Sequence, residues 1–131
     1  MPRFSNNSLN KLDTCHKDLQ RLFNEVIKYY DCTILEGTRT LDTQQEYFRQ
    51  GRSTLDGVNK KSKHQSLPSM AVDAICYPID WNDKARLYHF GGYVKGVADR
   101  MGIKIRWGGD WSGDNNFKDQ NFHDLPHFEL V

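Results

Sequence analysis

The chain has 131 residues, 37% of them hydrophobic and 12% aromatic, which is enough apolar material for one core. Its formal net charge is +1, from 18 basic and 17 acidic residues in mixed order, and this excludes the basic stripe typical of nucleic-acid binding proteins. No segment has the apolar length of a membrane span, and the N-terminal segment lacks the apolar core of a signal peptide. We therefore expect a single domain over residues 1–131 that binds no nucleic acid and inserts into no membrane.

The first half of the chain begins with helical periodicity. Residues 8–30 have apolar side chains at three- and four-residue spacing, which predicts an amphipathic helix. Residues 32–36 are a short stretch with β-branched side chains and predict a strand. Thr43 and Glu46 match a capping box, which predicts a second helix that Gly51 ends.

The second half of the chain predicts one long helix among strands. The helix begins at Asn82 or Asp83 and ends at Gly102, because glycine is favoured just after a helix C-terminus. Together the elements predict an α+β fold, in which a small antiparallel sheet packs with two or three helices. The predicted strands of this half are residues 71–77, 103–107 and 127–131.

The three cysteines, Cys15, Cys32 and Cys76, cannot all pair with one another. No two of them have the spacing of a metal knuckle or a redox pair. We expect reduced thiols, as in proteins that are made in the cytosol.

The chain has five histidines that are candidate metal ligands. His16 and His89 fall within predicted helices and are interpreted as structural. The pair His123 and His127 superficially resembles the helical zinc motif H-E-x-x-H. Pro126 lies between them, however, and proline disfavours a helix interior, so the segment is interpreted as a turn that leads into a strand. Only one of these two histidines is then expected to bind a metal.

Two further residues complete a candidate metal site. Asp73 lies in the middle of an apolar strand, where an unpaired carboxylate is costly, so we expect a metal ion or a basic side chain beside it. His64 lies in a polar loop before that strand, where a solvated histidine is the ordinary alternative. With His127 these residues offer two imidazoles and one carboxylate, and a catalytic zinc ion uses three protein ligands and an open fourth position.

Several motifs, taken in order, resemble a known family. They resemble the D-alanyl-D-alanine carboxypeptidase and L-alanyl-D-glutamate peptidase family of zinc peptidases, and especially its phage endolysins. The similarity extends from about residue 37 to residue 131. His64 and Asp73 are nine positions apart, which is more than in many relatives, and the loop between them can absorb the difference. The motifs are GTRT at 37–40, SKHQ at 62–65, AVD at 71–73, RWGGDW at 106–111 and DLPHFEL at 124–130.

The resemblance implies a zinc site on the sheet, with one catalytic Zn²⁺ held by His64, Asp73 and His127. It implies that Asp124 is the general base and that Arg39 stabilises the oxyanion that develops on the substrate carbonyl. It also implies that the partner is bacterial peptidoglycan and that the function is L-alanyl-D-glutamate endopeptidase activity in host-cell lysis.

Other residues are candidates for substrate or calcium binding. Ser62, Trp107 and Tyr77 are expected at the substrate-binding surface, although a tryptophan at position 107 also suits the core or a pocket wall. The polar loop over residues 110–119 is similar to a calcium loop but lacks the spacing of an EF-hand. Some phage relatives are regulated by calcium, and the candidate Ca²⁺ ligands here are Asp110, Asp114 and Asp119.

Three alternatives remain open on the sequence alone. A D-alanyl-D-alanine carboxypeptidase would share the metal site but would recognise a terminal carboxylate. A non-catalytic zinc module, as in hedgehog signalling domains, would not need an acid such as Asp124 beside the metal. A wall-binding module would often be a repeat, and no repeat is present. The lack of a signal peptide fits a monomeric lysin that is made in the host cytoplasm and reaches the wall after release by a separate permeabilising protein.

Overall fold

The computed structural model describes residues 2–118 and 123–131, and within them the chain forms four α-helices and one antiparallel sheet of four strands. The strand order in the sheet is β1-β2-β4-β3. This confirms the predicted α+β fold. In chain order the elements are α1 (Asn6–Leu12), α2 (Lys17–Val26), β1 (Cys32–Glu36), α3 (Leu41–Arg49), a 3-10 turn (Lys63–Gln65), β2 (Ala71–Cys76), α4 (Lys84–Met101), β3 (Ile105–Gly108) and β4 (Asp124–Leu130).

The predicted single helix over residues 8–30 is two helices, α1 and α2. The chain between them leaves the helical path because Cys15 forms an isolated parallel bridge with Ser69, just before β2. The apolar periodicity continues across this break, since Leu12 of α1 and Leu19 of α2 are both buried in the same core. Sequence periodicity therefore could not locate the break.

The helix boundaries agree with the prediction at α4 and differ at the start of α3. The side chain of Thr40 caps α3 by accepting a hydrogen bond of 3.1 Å from the backbone nitrogen of Thr43. The predicted capping box at Thr43 is therefore wrong, because Thr43 already lies inside the helix. Asp83 caps α4, and Gly102 ends it in the left-handed conformation with φ of 70°.

The core lies between the helices and one face of the sheet. Phe128 of β4 is fully buried and contacts Phe23 of α2 and Phe90 of α4 edge to face, with ring centroids 5.6 and 6.1 Å apart. Trp107 of β3 stacks on the same ring at 6.5 Å. Because side chains alternate along a strand, the neighbours of Phe128 in sequence project to the opposite face of the sheet. The candidate metal site lies on that face.

The described residues contain no disulfide and no helix that is long and apolar enough to cross a bilayer. Cys15, Cys32 and Cys76 are all free thiols, in line with the expected reduced state, and all three are buried. Burial raises the pKa of the Cys15 thiol to about 11 and that of Cys32 to about 12.

Candidate metal centre and catalytic cavity

The structure brings the three predicted metal ligands together. His64 Nε2 lies 3.2 Å from Asp73 Oδ1, and His127 Nδ1 lies 3.3 Å from the same oxygen. The two ring nitrogens are 3.3 Å apart. Among residues 2–118 and 123–131, this is the cluster of His, Cys, Asp or Glu atoms that can hold a metal ion.

Strand pairing positions two of these ligands. Asp73 of β2 and His127 of β4 are directly paired in the antiparallel register, so their side chains project side by side from one face of the sheet. Their neighbours Val72 and Phe128, which are also paired, face the core.

A capped turn positions the third ligand. His64 lies in the 3-10 turn, and Ser62 caps it by accepting a hydrogen bond of 3.1 Å from the His64 backbone nitrogen. The Gln65 side-chain oxygen in turn accepts a hydrogen bond of 2.8 Å from the Ser62 backbone nitrogen, which completes a capping box. The turn fixes His64 independently of the residues that follow it, so the longer loop before Asp73 leaves the ligand in place.

Hydrogen bonds fix the protonation of both histidine rings. His64 Nδ1 lies 2.8 Å from the backbone oxygen of Gly37, and His127 Nε2 lies 2.8 Å from Glu129 Oε1. A carbonyl and a carboxylate accept hydrogen bonds, so these ring nitrogens carry the protons. The other nitrogen of each ring faces Asp73, so this is the nitrogen that can bind a metal ion once it is deprotonated, as in metal-ligating histidines.

Glu129 is itself held in place by basic side chains. Its Oε2 atom lies 3.3 Å from Lys63 Nζ and 3.7 Å from a guanidinium nitrogen of Arg106. Burial opposes ionisation of the carboxyl, but the hydrogen bond with His127 and the charge of Lys63 keep the pKa of Glu129 below its usual value. Glu129 therefore faces His127 as a carboxylate.

The charges in the cluster favour a cation. Burial disfavours the ionised form of Asp73, yet the hydrogen bonds with His127 and His64 hold the pKa of this carboxyl well below its usual range. Burial also disfavours a charged imidazole, but the hydrogen bonds with Asp73 and Glu129 raise the pKa of His127 to about 9. A proton and a metal ion compete for Nδ1 of His127, so metal binding releases that proton.

The remaining histidines lie outside the cluster. His123, the alternative to His127 in the H-D-L-P-H segment, has its Nδ1 atom 3.3 Å from the hydroxyl of Tyr88. His16 caps α2 by accepting a backbone hydrogen bond, and His89 Nδ1 lies 3.0 Å from the hydroxyl of Tyr30.

Asp124, the predicted general base, begins β4 beside the metal ligands. Its Oδ2 atom lies 3.9 Å from His127 Nδ1. Burial and the nearby charge of Asp73 raise the pKa of the Asp124 carboxyl, against the opposing charges of His127, His64 and Arg39. A carboxyl group with a raised pKa is a stronger base and is suited to general acid–base work.

Arg39 lies on the wall of the same site and is 10% exposed. Its Nε atom donates a hydrogen bond of 2.5 Å to Glu36 Oε1, and a terminal nitrogen donates one of 2.7 Å to Gln44 Oε1. A terminal nitrogen lies 3.9 Å from Asp73 Oδ2. Glu36 and Gln44 thus fix the guanidinium beside the candidate metal ligands, and the sequence did not indicate either of them.

These residues open into a cavity of about 930 Å³. Ser62 lines this cavity, and its side chain caps the 3-10 turn; its contact with substrate stays a prediction. Trp81, Trp111 and Pro126 contribute apolar surface. The ring of Trp111 lies 5.4 Å from that of His127. The cavity therefore combines polar groups at the candidate metal centre with aromatic walls.

Two predicted substrate-binding residues lie elsewhere. Trp107 is fully buried, and its indole nitrogen donates a hydrogen bond of 2.7 Å to the backbone oxygen of Leu125, so it belongs to the core. Tyr77 is 57% exposed but does not line the cavity, because it follows the end of β2 and its backbone nitrogen bonds to Asp31. The prediction of substrate contact is wrong for Trp107, whereas for the exposed Tyr77 it stays a prediction.

The calcium hypothesis gains no support from the described residues. Asp110 is buried, and its carboxylate contacts Lys95 Nζ at 3.1 Å and the backbone nitrogen of Asn115 at 2.8 Å. Asp114 accepts a backbone hydrogen bond within its own turn. The third candidate, Asp119, lies outside the described residues.

Comparisons with known proteins identify relatives of this chain. The family model of the phage L-alanyl-D-glutamate peptidases matches residues 1–131. The L-alanyl-D-glutamate peptidase of Escherichia phage T5 is 31% identical over 137 residues, which cover 98% of each chain. The crystal structure of the L-Ala D-Glu endopeptidase ChiX from Serratia marcescens matches with a TM-score of 0.76 and 26% identity, over 99% of this chain and 91% of that one.

A more distant solved structure shares the fold. The LdcB LD-carboxypeptidase matches with a TM-score of 0.56 and 20% identity, over 88% of this chain and 56% of that one. The full-length match to the family model and the identity to the phage T5 protein establish the family. This chain belongs to the phage L-alanyl-D-glutamate peptidases.

Proposed function

We propose that the protein is a zinc-dependent endopeptidase that hydrolyses the L-alanyl-D-glutamate bond of peptidoglycan stem peptides during host-cell lysis. The observation that carries this proposal is the convergence of His64, Asp73 and His127 in a cavity that also contains Asp124. The phage T5 and S. marcescens relatives are named for this activity, and both match nearly the whole chain.

The donor set fits a catalytic zinc ion. Two neutral imidazoles and one carboxylate supply three ligands of types that zinc prefers, and they leave a fourth position for water. His64 Nδ1 is hydrogen-bonded to Gly37 and His127 Nε2 is hydrogen-bonded to Glu129. Only the other ring nitrogen of each histidine is therefore directed toward the metal position. A zinc ion bound there would act as a Lewis acid and lower the pKa of its water from about 15.7 toward 7.

Asp124 is the proposed general base and acid. Its carboxylate accepts a proton from the attacking water as the new C–O bond forms at the alanyl carbonyl. It then gives that proton to the glutamate nitrogen as the C–N bond breaks, so that alanine leaves with a carboxylate and glutamate with an amine. The raised pKa of Asp124 supports both transfers.

Arg39 is proposed to stabilise the negative charge that develops on the carbonyl oxygen. Its guanidinium lines the cavity beside Asp73 and is held rigid by Glu36 and Gln44, so it needs little reorganisation during the reaction. Loss of such a donor typically lowers kcat by about 100-fold or more.

The biological setting is part of the same proposal. We propose that the protein is made in the host cytoplasm, acts as a monomer and reaches the wall after a separate protein permeabilises the membrane. Expression of the protein alone, without a permeabilising partner, is then expected to leave host cells intact, while addition of the same protein to permeabilised cells lyses them.

Zinc-loaded protein incubated with purified peptidoglycan provides the direct test, with fragments identified by mass spectrometry. New glutamate amino termini, absent with an Asp124→Ala variant that still binds one zinc ion per chain, are the expected result. Release of D-alanine alone would instead identify a carboxypeptidase with the same site. Zinc-loaded protein that cuts no bond would overturn the enzymatic proposal and leave a binding module.

A further inference from the structure

One wall of the cavity is held together by a fully buried glutamine. The side-chain nitrogen of Gln44 donates hydrogen bonds to Ser53 Oγ at 3.0 Å and to the backbone oxygen of Leu55 at 2.7 Å. Its side-chain oxygen accepts the hydrogen bond from Arg39. Residues 52–55, which follow α3 and line the cavity, are therefore tied directly to the wall of the candidate metal centre.

Arg52, at the start of this segment, has a defined position. Its guanidinium carbon lies 4.3 Å from the ring centroid of Tyr47, a cation–π contact, and its backbone nitrogen bonds to the Tyr47 oxygen at 2.9 Å. The Tyr47 hydroxyl donates to Glu36 Oε2 at 3.1 Å, which fixes the ring. The guanidinium of Arg39 lies 4.8 Å from the same ring. The guanidinium groups of Arg52 and of the candidate catalytic arginine therefore both lie against the same aromatic ring.

Arg52 differs from Arg39 in having no carboxylate beside it among residues 2–118 and 123–131. Arg39 contacts Glu36 and Asp73, and Lys63, another cation that lines the cavity, contacts Glu129. Arg52 is exposed and forms no ion pair within residues 2–118 and 123–131. Two lysines of the cavity lining, Lys61 and Lys84, form none among those residues either, but of these three cations only Arg52 lies on an aromatic ring. A guanidinium that is held on an aromatic ring and lines a cavity is suited to bind a carboxylate through two parallel N–H groups.

We propose that Arg52 recognises the free carboxylate of the glutamate residue that follows the scissile bond. This inference rests on the proposed function. Glutamate has two carboxyl groups, so a peptide that continues through one of them keeps the other as an anion at neutral pH. One residue spans about 3.5 Å of extended chain, so that carboxylate stays close to the scissile bond, and Arg52 lines the same cavity as Asp124 and the candidate metal ligands. Arg52 is therefore a specificity-determining residue.

A pair of synthetic peptides tests the proposal. The two peptides contain the L-alanyl-D-glutamate bond and differ only in whether the free carboxyl group of the glutamate is a carboxylate or a carboxamide. The wild-type protein is expected to cleave the carboxylate peptide with a kcat/KM about ten-fold higher. Arg52→Gln is expected to remove most of this preference, because the KM for the carboxylate peptide rises much more than the KM for the carboxamide peptide. Arg52→Lys keeps the charge but not the planar fork, so an intermediate preference is expected.

Arg49→Gln is the matched control, since Arg49 is an exposed residue of the preceding helix that pairs with Glu46 and does not line the cavity. If Arg52→Gln lowers kcat/KM equally for both peptides, the proposal is overturned, because Arg52 would then stabilise the cavity wall and not recognise the carboxylate. An unchanged preference would overturn it as well. If the zinc-loaded wild type cleaves neither peptide, the proposed function itself fails, and this result is distinct from cleavage without preference.

Discussion

Glu129 accepts a hydrogen bond of 2.8 Å from the ring nitrogen of His127 that points away from Asp73. The two residues are on the same face of β4, and Glu129 is held on its other side by Lys63. Lys63 immediately precedes His64 in the chain. Glu129, which holds the His127 ring, is therefore itself held by the residue next to the second histidine ligand, His64. The carboxylate thereby sets which nitrogen of His127 is free to bind a metal ion.

We expect Glu129→Ala to weaken zinc binding by about 10- to 100-fold, because His127 loses the acceptor that fixes its ring and raises its basicity. Glu129→Gln keeps an acceptor without the charge and should show a smaller loss. Zinc affinity is measured by competition with a chelator. Glu46→Ala is the control, since Glu46 is an exposed acid on α3 that pairs with Arg49. Unaltered zinc affinity in Glu129→Ala would contradict this role.

We expect the acid limb of the activity profile to report Asp124. Burial and the charge of Asp73 raise the pKa of this carboxyl, and a general base works only when it is deprotonated. As pH falls, kcat/KM should therefore decline at a value above the ordinary aspartate pKa of about 3.9. Zinc content is measured at each pH, because protonation of the ligands would also lower activity. A decline that follows zinc loss alone would assign the limb to the ligands and not to Asp124.

We expect Gly91→Ala to destabilise the fold by about 1–3 kcal/mol, as an overpacked core does. A Cβ atom at position 91 of α4 would overlap the indole ring of Trp107, which is fully buried and cannot move aside. Gly96→Ala is a matched control in the same helix, because its Cβ would meet no atom within 4 Å. That substitution should stabilise the protein by up to about 1 kcal/mol through helix propensity. Urea unfolding measures both, and equal effects would contradict the packing argument.

We expect alkaline pH to destabilise the protein through its buried thiols. Burial raises the pKa of Cys32 to about 12, whereas a thiol in the unfolded chain ionises near about 8.5. The stabilising contribution is therefore complete below about pH 8.5 and is lost as pH rises toward 12, by up to about 1.4 kcal/mol per pH unit. Urea unfolding of the wild type and of Cys32→Ala from about pH 8 to 10.5 should give a shallower decline in the variant. Parallel declines would show that other groups dominate.

The metal cluster could be predicted from the sequence because its residues lie in motifs that follow the same order as in a known family. His64, Asp73 and His127 were named from those motifs, and the structure brings their side chains together. The α+β fold followed from the alternation of apolar residues in strands and their helical spacing elsewhere. The exact helix breaks did not follow, because the apolar pattern of α1 continues into α2 across the bridge at Cys15.

The rest of the cavity depends on contacts between distant parts of the chain. Trp107 follows the pattern of a strand, but the sequence does not say that its ring faces the core and not the cavity. Asp110 was predicted as a calcium ligand from its place in a polar loop. Its actual partner, Lys95, lies in α4, and the sequence does not indicate that the two residues are in contact. Gln44 is a polar residue in a polar helix, and only the folded chain reveals that it is fully buried behind Arg39.

The direct pairing of Asp73 with His127 couples formation of the candidate metal site to the register of strands β2 and β4. A slip of β4 by one residue against β2 would turn His127 toward the hydrophobic interior and expose Phe128. The register that buries the Phe128 ring also directs the His127 imidazole toward Asp73. A chain with a correctly packed sheet has therefore also brought together two of its three candidate zinc ligands. Substitutions that disturb the interior of the sheet should therefore appear as defects in metal uptake, even when they are far from the cavity.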